Sequence, residues 1–139
     1  MIIYALDTNT ISNLLRGEGN IEKNFEQEII QRGNLYAIPL IVVFEIRRWL
    51  LDKPTKQIKD FDKQFNILFQ SVEDEAEMPI AVWDKAAEIY ITLKQNGQLM
   101  KDADIIIGAY CLVNGYTLAT RNINDFNRIA GLNLVNWFD

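Results

Sequence analysis

Residues Ile2 to Leu6 form an unbroken apolar run that stops at Asp7. A strand with one wet face alternates apolar and polar residues. A run that is apolar at every position fits a strand buried on both faces, as in a parallel sheet covered by helices. Further short strands are predicted over Tyr36–Ile38, Ala76–Met78, Tyr116–Ala119 and Leu132–Asn136. Between them the apolar residues recur at helical spacing. Ile11, Leu14 and Leu15 define a first helix, with Thr8 or Asn9 as its cap and Gly17 as its stop; Ile21–Gly33 is a second amphipathic stretch. Pro39 stands at the entry of a helix running to Leu51, and Ile58, Phe61, Phe65 and Leu68 mark the next. Trp83, Ala86, Ala87, Tyr90 and Leu93 mark another, ending near Gly97. Asp102 to about Asn114 is a helix stopped by Gly115, and Asn124–Arg128 is a short one. Strands alternating with helices predict a three-layer α/β fold with a mainly parallel sheet.

The chain has 139 residues, without internal repeats or a long linker, so residues 1–139 are read as a single domain. Composition removes whole chemistries. With 0 His there is no Ser–His–Asp triad and no His-ligated zinc; with 1 Cys, Cys111, there is no intramolecular disulfide framework. No membrane segment is expected, since runs such as Leu40–Phe44 fall far below the ~18 apolar residues a membrane span needs, and a cytoplasmic protein is predicted. The formal net charge is −5. It is unevenly spread: Arg47–Lys63 (Arg47, Arg48, Lys53, Lys56, Lys59 and Lys63 against three acids) carries net +3, while the rest carries −8. Glu73, Asp74, Glu75 and Glu77 form the opposite extreme. Solvated surface explains either cluster as readily as a binding role does.

Four acidic positions stand beside or within apolar sequence at the ends of elements. Asp7 follows the first strand, where open parallel sheets bind ligands beyond their carboxyl ends; the alternative is a simple cap for the Ile11 helix. Glu45 interrupts Leu40–Ile46. It is either a site acid or one half of an i, i+3 ion pair with Arg48. Asp104 precedes Ile105-Ile106-Ile107-Gly108-Ala109, with Asp102 as the natural N-cap two residues earlier; only one of the two can face a common site. Gly108 and Ala109 permit close packing against a neighbour. The Thr120–Asp125 loop follows a strand, and alone it reads as a polar turn. Carboxylates converging in one cleft repel one another and retain protons. A hard divalent cation removes that penalty, so an acidic cluster without His suggests metal-assisted phosphoryl chemistry.

The ordered set Leu6-Asp7-Thr8-Asn9-Thr10-Ile11-Ser12, Phe44-Glu45-Ile46, Asp102–Ala109, Leu118–Asn122 with Asp125-Phe126, and Val135-Asn136-Trp137 resembles the PIN-domain ribonucleases. Within them it is similar to the VapC-type toxins of bacterial toxin–antitoxin pairs. The resemblance spans essentially the whole chain. It implies a five-stranded parallel sheet wrapped by helices, and Mg²⁺- or Mn²⁺-dependent endonucleolytic cleavage of RNA, with transfer RNA among the candidates. It implies Asp7, Glu45 and Asp104 as metal ligands and catalytic acids, with Asn9 and Ser12 supporting Asp7 and Thr120 as the hydroxyl near the metal. Many PIN domains carry an acid where Asn122 stands; here Asp125, three positions on, is the alternative fourth acid. A cognate antitoxin and a toxin homodimer are implied as partners.

Arg47, Arg48 and Arg121 are candidates for contacts to RNA, with Arg16 and Arg128 as further ones. Two other readings stand beside this one. Asp7-Thr8-Asn9-Thr10 is similar to the haloacid-dehalogenase-type phosphatase signature, with Asp7 as nucleophile and Lys101 as the later Lys, although Asn9 replaces that signature's second acid. A PIN-like binding module that no longer cuts is the other, and Asn122 is the one feature in its favour.

Overall fold

The apolar run after Met1 becomes strand β1, Ile3–Leu6, in which Ala5 and Leu6 are fully buried. β1 is a central strand of an all-parallel sheet. It pairs with β2 (Leu35–Ala37) on one side and β3 (Thr117–Ala119) on the other, and β3 pairs with β4 (Leu134–Val135), giving the order β2-β1-β3-β4. Burial on both faces is why these strands are apolar throughout. The structure, a computed structural model, describes residues 1–52, 56–70, 72 and 78–139, with the backbone alone for 56–59. Its sheet has four strands among the described residues rather than five. The strand expected at Ala76–Met78 falls largely on positions 76 and 77, outside the described residues, and Met78 has no strand pairing. The acidic cluster from Glu73 to Glu77 lies outside them as well.

Seven α-helices are described: α1 (Thr8–Leu15), α2 (Gly19–Phe25), α3 (Leu40–Asp52), α4 (Lys56–Gln70), α5 (Ile80–Gln95), α6 (Asp102–Asn114) and α7 (Ile123–Phe126). α2 continues into a π-helical turn, Glu26–Gln31. Glu28 on that turn accepts hydrogen bonds from Tyr4 Oη (3.0 Å), Asn34 Nδ2 (2.9 Å) and Arg32 Nη1 (2.6 Å), which ties the turn to β1 and to the loop before β2. Burial, and then the bond to Glu28, push the Tyr4 hydroxyl up to about 12.

Val42, Ile46 and Leu50 form the buried stripe of α3, and Val82, Ala86, Ile89 and Leu93 that of α5. The stripe expected on α5 at Trp83, Ala86, Ala87, Tyr90 and Leu93 is turned: Trp83, Ala87 and Tyr90 are exposed, because packing along α6 selects a different row of the same helical spacing. α6 is buried on most sides, from Ile105 and from Ile107 through Cys111, and packs along α5 and against α3. Gly115 ends α6 in the left-handed region (φ 71°), which a side chain would strain. Gly108 lets Ile129 approach: a Cβ placed there would stand 2.5 Å from Ile129 Cδ1.

Strand order decides where a crevice opens. The chain leaves β1 for β2 on one side and returns to β3 on the other. The connections therefore diverge at the carboxyl ends of β1 and β3, the switch point at which open α/β sheets place ligands. Leu6 is in register with Ala119. Asp7 and Thr120 consequently leave the sheet side by side, with Asp7 N–H donating to Ala119 O (3.5 Å) and Thr120 N–H to Val135 O (2.9 Å).

Candidate active site

Asp7 is extended (φ −84°, ψ 174°), caps α1, and is only 7% exposed. Its Oδ1 accepts the Thr10 N–H at 2.9 Å. Of the caps the sequence offered, Asp7 is the one used and not Thr8 or Asn9, because a short side chain in extended backbone reaches the third N–H of the helix. The fully buried Thr120 hydroxyl donates to the Asp7 carboxyl and accepts the Asn122 N–H at 3.0 Å. The Thr10 hydroxyl donates to Ala119 O at 2.8 Å, pinning the start of α1 to the end of β3 across 109 residues of sequence.

Glu45 lies half-buried on α3, and its Oε1 accepts the Thr8 hydroxyl at 2.8 Å. The ion pair with Arg48 does not form, because the Arg48 guanidinium lies over the Phe44 ring (5.2 Å). Asp104 sits half-buried in the first turn of α6. Lys101, not Asp102, is the cap residue there, and Asp102 is exposed in the first turn, so of the two acids Asp104 is the one turned toward the others.

Burial raises the Asp104 carboxyl above the ordinary carboxylate range, and Glu45, Asp7 and Asp125 raise it further against the pull of Lys101. Burial likewise raises Asp7. The Thr120 and Thr10 donors offset part of this, and Glu45 adds to it. Among the described residues no cationic side chain pairs with Asp7. A buried carboxylate without a counter-charge is costly, and a cation is what such a group lacks.

The remaining predicted residues divide. Asp125 Oδ2 accepts Asn122 Nδ2 (2.8 Å), and its Oδ1 meets Arg128 Nη2 (3.3 Å). Asn122 is therefore bonded to Asp125 at the rim of the cleft. Ser12 Oγ donates to Asn9 O (3.2 Å), and the Asn9 side chain is exposed, so the neighbours that hold Asp7 are Thr10 and Thr120 instead. Arg47 is engaged within the fold: Nη1 pairs with Asp62 (2.5 Å), Nη2 meets Asn66, and the guanidinium lies over Phe65 (5.4 Å). Arg121 lies over Phe138 (5.0 Å) and Arg16 over Trp49 (5.8 Å). The side chains of Lys53, Lys56 and Lys59 lie outside the described residues. Sequence reasoning missed Thr8 and Thr10. The signal for Thr10 is its place three residues after a capping Asp; nothing local signals that Thr8 meets Glu45, 37 residues on.

Thr120→Val removes one hydroxyl that both donates and accepts in a buried place. A loss of about 1–3 kcal/mol in urea unfolding is expected, with Thr120→Ser retaining most of the stability.

All donors in this group are hard oxygens. Among the described residues no three His, Cys, Asp or Glu side chains form a ready-made metal cage. Oxygen donors are the type a hard divalent cation takes, and such a cation is usually held by one or two carboxylates together with waters and substrate phosphate.

A parallel sheet with Asp7 at its switch point fits one family: residues 4–132 match the PIN domain, and the chain belongs to that family. The phosphatase reading of Asp7 gives way to this assignment. Among relatives, the chain is 27% identical over 136 residues to Ribonuclease VapC2 of Rickettsia felis, covering 98% of each protein. Its fold is similar to that in the crystal structure of VapBC2 from Rickettsia felis bound to a DNA fragment from their promoter (TM-score 0.80, 24% identity, 98% of this chain and 99% of that one). It is also similar to that of VapBC-1 from nontypeable Haemophilus influenzae (TM-score 0.81, 20% identity, 99% and 100%).

Proposed function

We propose that residues 1–139 act as one PIN domain, a cytoplasmic endoribonuclease toxin that cleaves RNA phosphodiester bonds and is neutralised by a cognate antitoxin, with a homodimer as its working form. The observation that supports this reading is the placement of Asp7 at the carboxyl end of β1, with Glu45 bonded to the adjacent Thr8 and Asp104 in the first turn of α6, which packs against α3. The full-length similarity to Ribonuclease VapC2 supports the RNA substrate, and the likeness to VapBC assemblies supports the antitoxin.

Asp7, Glu45 and Asp104 would hold Mg²⁺, or Mn²⁺, in this reading. A bound divalent ion supplies an acidified water as nucleophile and neutralises charge on the scissile phosphate. The protein's part is positioning. Thr120 orients the Asp7 carboxyl, and Thr8 holds one Glu45 oxygen while leaving the other free. Both Asp125 oxygens are engaged by Asn122 and Arg128, so Asp125 contributes charge at the rim.

The direct test is incubation of the purified chain with end-labelled RNA in Mg²⁺ and in EDTA. Cleavage in Mg²⁺ alone is expected; no cleavage of any RNA would overturn the reading. A second readout needs no substrate. Mg²⁺ at about 100 times its Kd is expected to stabilise the protein by about 2.7 kcal/mol, raising Tm by several degrees, through carboxylates that otherwise repel. The Asp7→Asn protein should lose that increment.

A further inference from the structure

We propose that Phe44 and Arg48 form a stacking platform for an unpaired nucleobase of the RNA, next to the acidic crevice. Phe44 is 56% exposed, large for an aromatic ring, although it directly precedes Glu45. Its ring carries the Arg48 guanidinium at 5.2 Å, and Arg48 is itself exposed. Among the described residues Arg48 pairs with no carboxylate, whereas its neighbour Arg47 is engaged by Asp62 and Asn66.

Both side chains line a concavity of about 920 Å³ whose wall also contains Thr8 and Glu45. An occupant of that hollow lies against both the platform and Glu45. Aromatic rings and guanidinium planes are the surfaces on which unstacked bases lie, and a cation beside the ring also suits the adjoining phosphate.

The platform rests on the nuclease reading, and its test separates the two. Cleavage of an unstructured, labelled RNA oligonucleotide is followed in Mg²⁺ for wild type, Phe44→Ala, Phe44→Trp and Arg48→Ala. Binding is followed by quenching of 2-aminopurine placed at each purine in turn, in the Asp104→Asn background to prevent cutting. Phe44→Ala is expected to raise KM on the order of tenfold, with the loss of quenching at one position. Phe44→Trp should restore both. Arg48→Ala should flatten the salt dependence of binding by roughly 0.7 in log–log slope, which Phe44→Ala leaves unchanged. Since Phe44 is exposed, its variants should keep the wild-type Tm.

Wild-type cleavage with an unaltered KM in Phe44→Ala overturns the platform alone. If Phe44→Ala instead shifts the oligomeric state in sedimentation without changing KM, the face is a protein interface and the platform is likewise overturned. A wild-type chain that neither binds nor cuts RNA overturns both readings.

Discussion

Asp7→Asn and Asp104→Asn are each expected to lower metal-dependent RNA cleavage by at least about 10²-fold while the circular dichroism spectrum is kept. Loss of a charged ligand removes several kcal/mol of transition-state stabilisation, and each 1.36 kcal/mol is tenfold in rate. The fold should survive because Asn has the same shape. At Asp7 it can also still cap α1, a duty Asn performs about as well as Asp. Asp7→Ala would add a capping loss of about 1 kcal/mol.

Stability should move the other way from activity. Both carboxyls are raised in the native protein above the ordinary 3.8, chiefly by burial. The native state therefore binds these protons more tightly than the unfolded chain does. Their penalty is absent below the unfolded value, grows as pH rises between the unfolded and native values, and is complete above the native ones. Metal-free wild type should accordingly lose stability from these two groups as pH rises toward neutral. Asp7→Asn should match or exceed its Tm at pH 7 and show a flatter dependence. Thermal melts in EDTA across pH check the sign. Full RNA cleavage by both Asn variants would sink the mechanism.

Phe126→Ala is expected to give the largest stability loss, about 3–5 kcal/mol, with Tm lower by about 10 °C or more. α7 has four residues, too few to be helical by themselves, and Phe126, 1% exposed, anchors it in the core. Domains of this size have about 5–15 kcal/mol in total, so the loss is a large share. The Thr120–Asp125 loop is held between β3 and this anchor, so activity should fall at temperatures where the variant is still folded. Urea unfolding together with cleavage assays well below Tm separates the two effects. A Tm drop of less than about 2 °C would show that Phe126 does not anchor the loop.

Much of the architecture was legible because burial leaves local patterns. β1 is apolar at every position since both its faces are covered, and α3 repeats Val42, Ile46 and Leu50 since one stripe is. Gly17, Gly97 and Gly115 end their helices with φ of 71°, 66° and 71°, as their places in the sequence predicted. Element ends were less legible. Asp7 rather than Thr8 or Asn9 caps α1, and α7 covers Ile123–Phe126 rather than Asn124–Arg128, because a cap depends on backbone geometry at one residue.

Within the candidate site, Asp7, Glu45 and Asp104 stood out as acids beside apolar sequence, and the charges of Glu45, Asp7 and Asp125 all raise the Asp104 carboxyl. What held them was not legible. Thr10 bonds to Ala119 and Thr8 to Glu45, and neither partner has any periodic relation to the other. Arg47 and Arg48 look alike in sequence. Packing turns the first into an Asp62 partner and leaves the second over an exposed ring.

From its sequence alone this protein has an order of strands and helices, a donor set of oxygens without His or paired Cys, and a short list of misplaced acids. Each of these is a local property, recorded in periodicity, composition or a charge where hydrophobic residues belong. The tertiary structure decided which of those groups meet. The parallel register of Leu6 with Ala119 sets Asp7 beside Thr120, and α6 packs against α3, so that the Glu45 charge acts on Asp104. Such meetings depend on chain segments far apart in sequence closing on a common core, which no local pattern encodes.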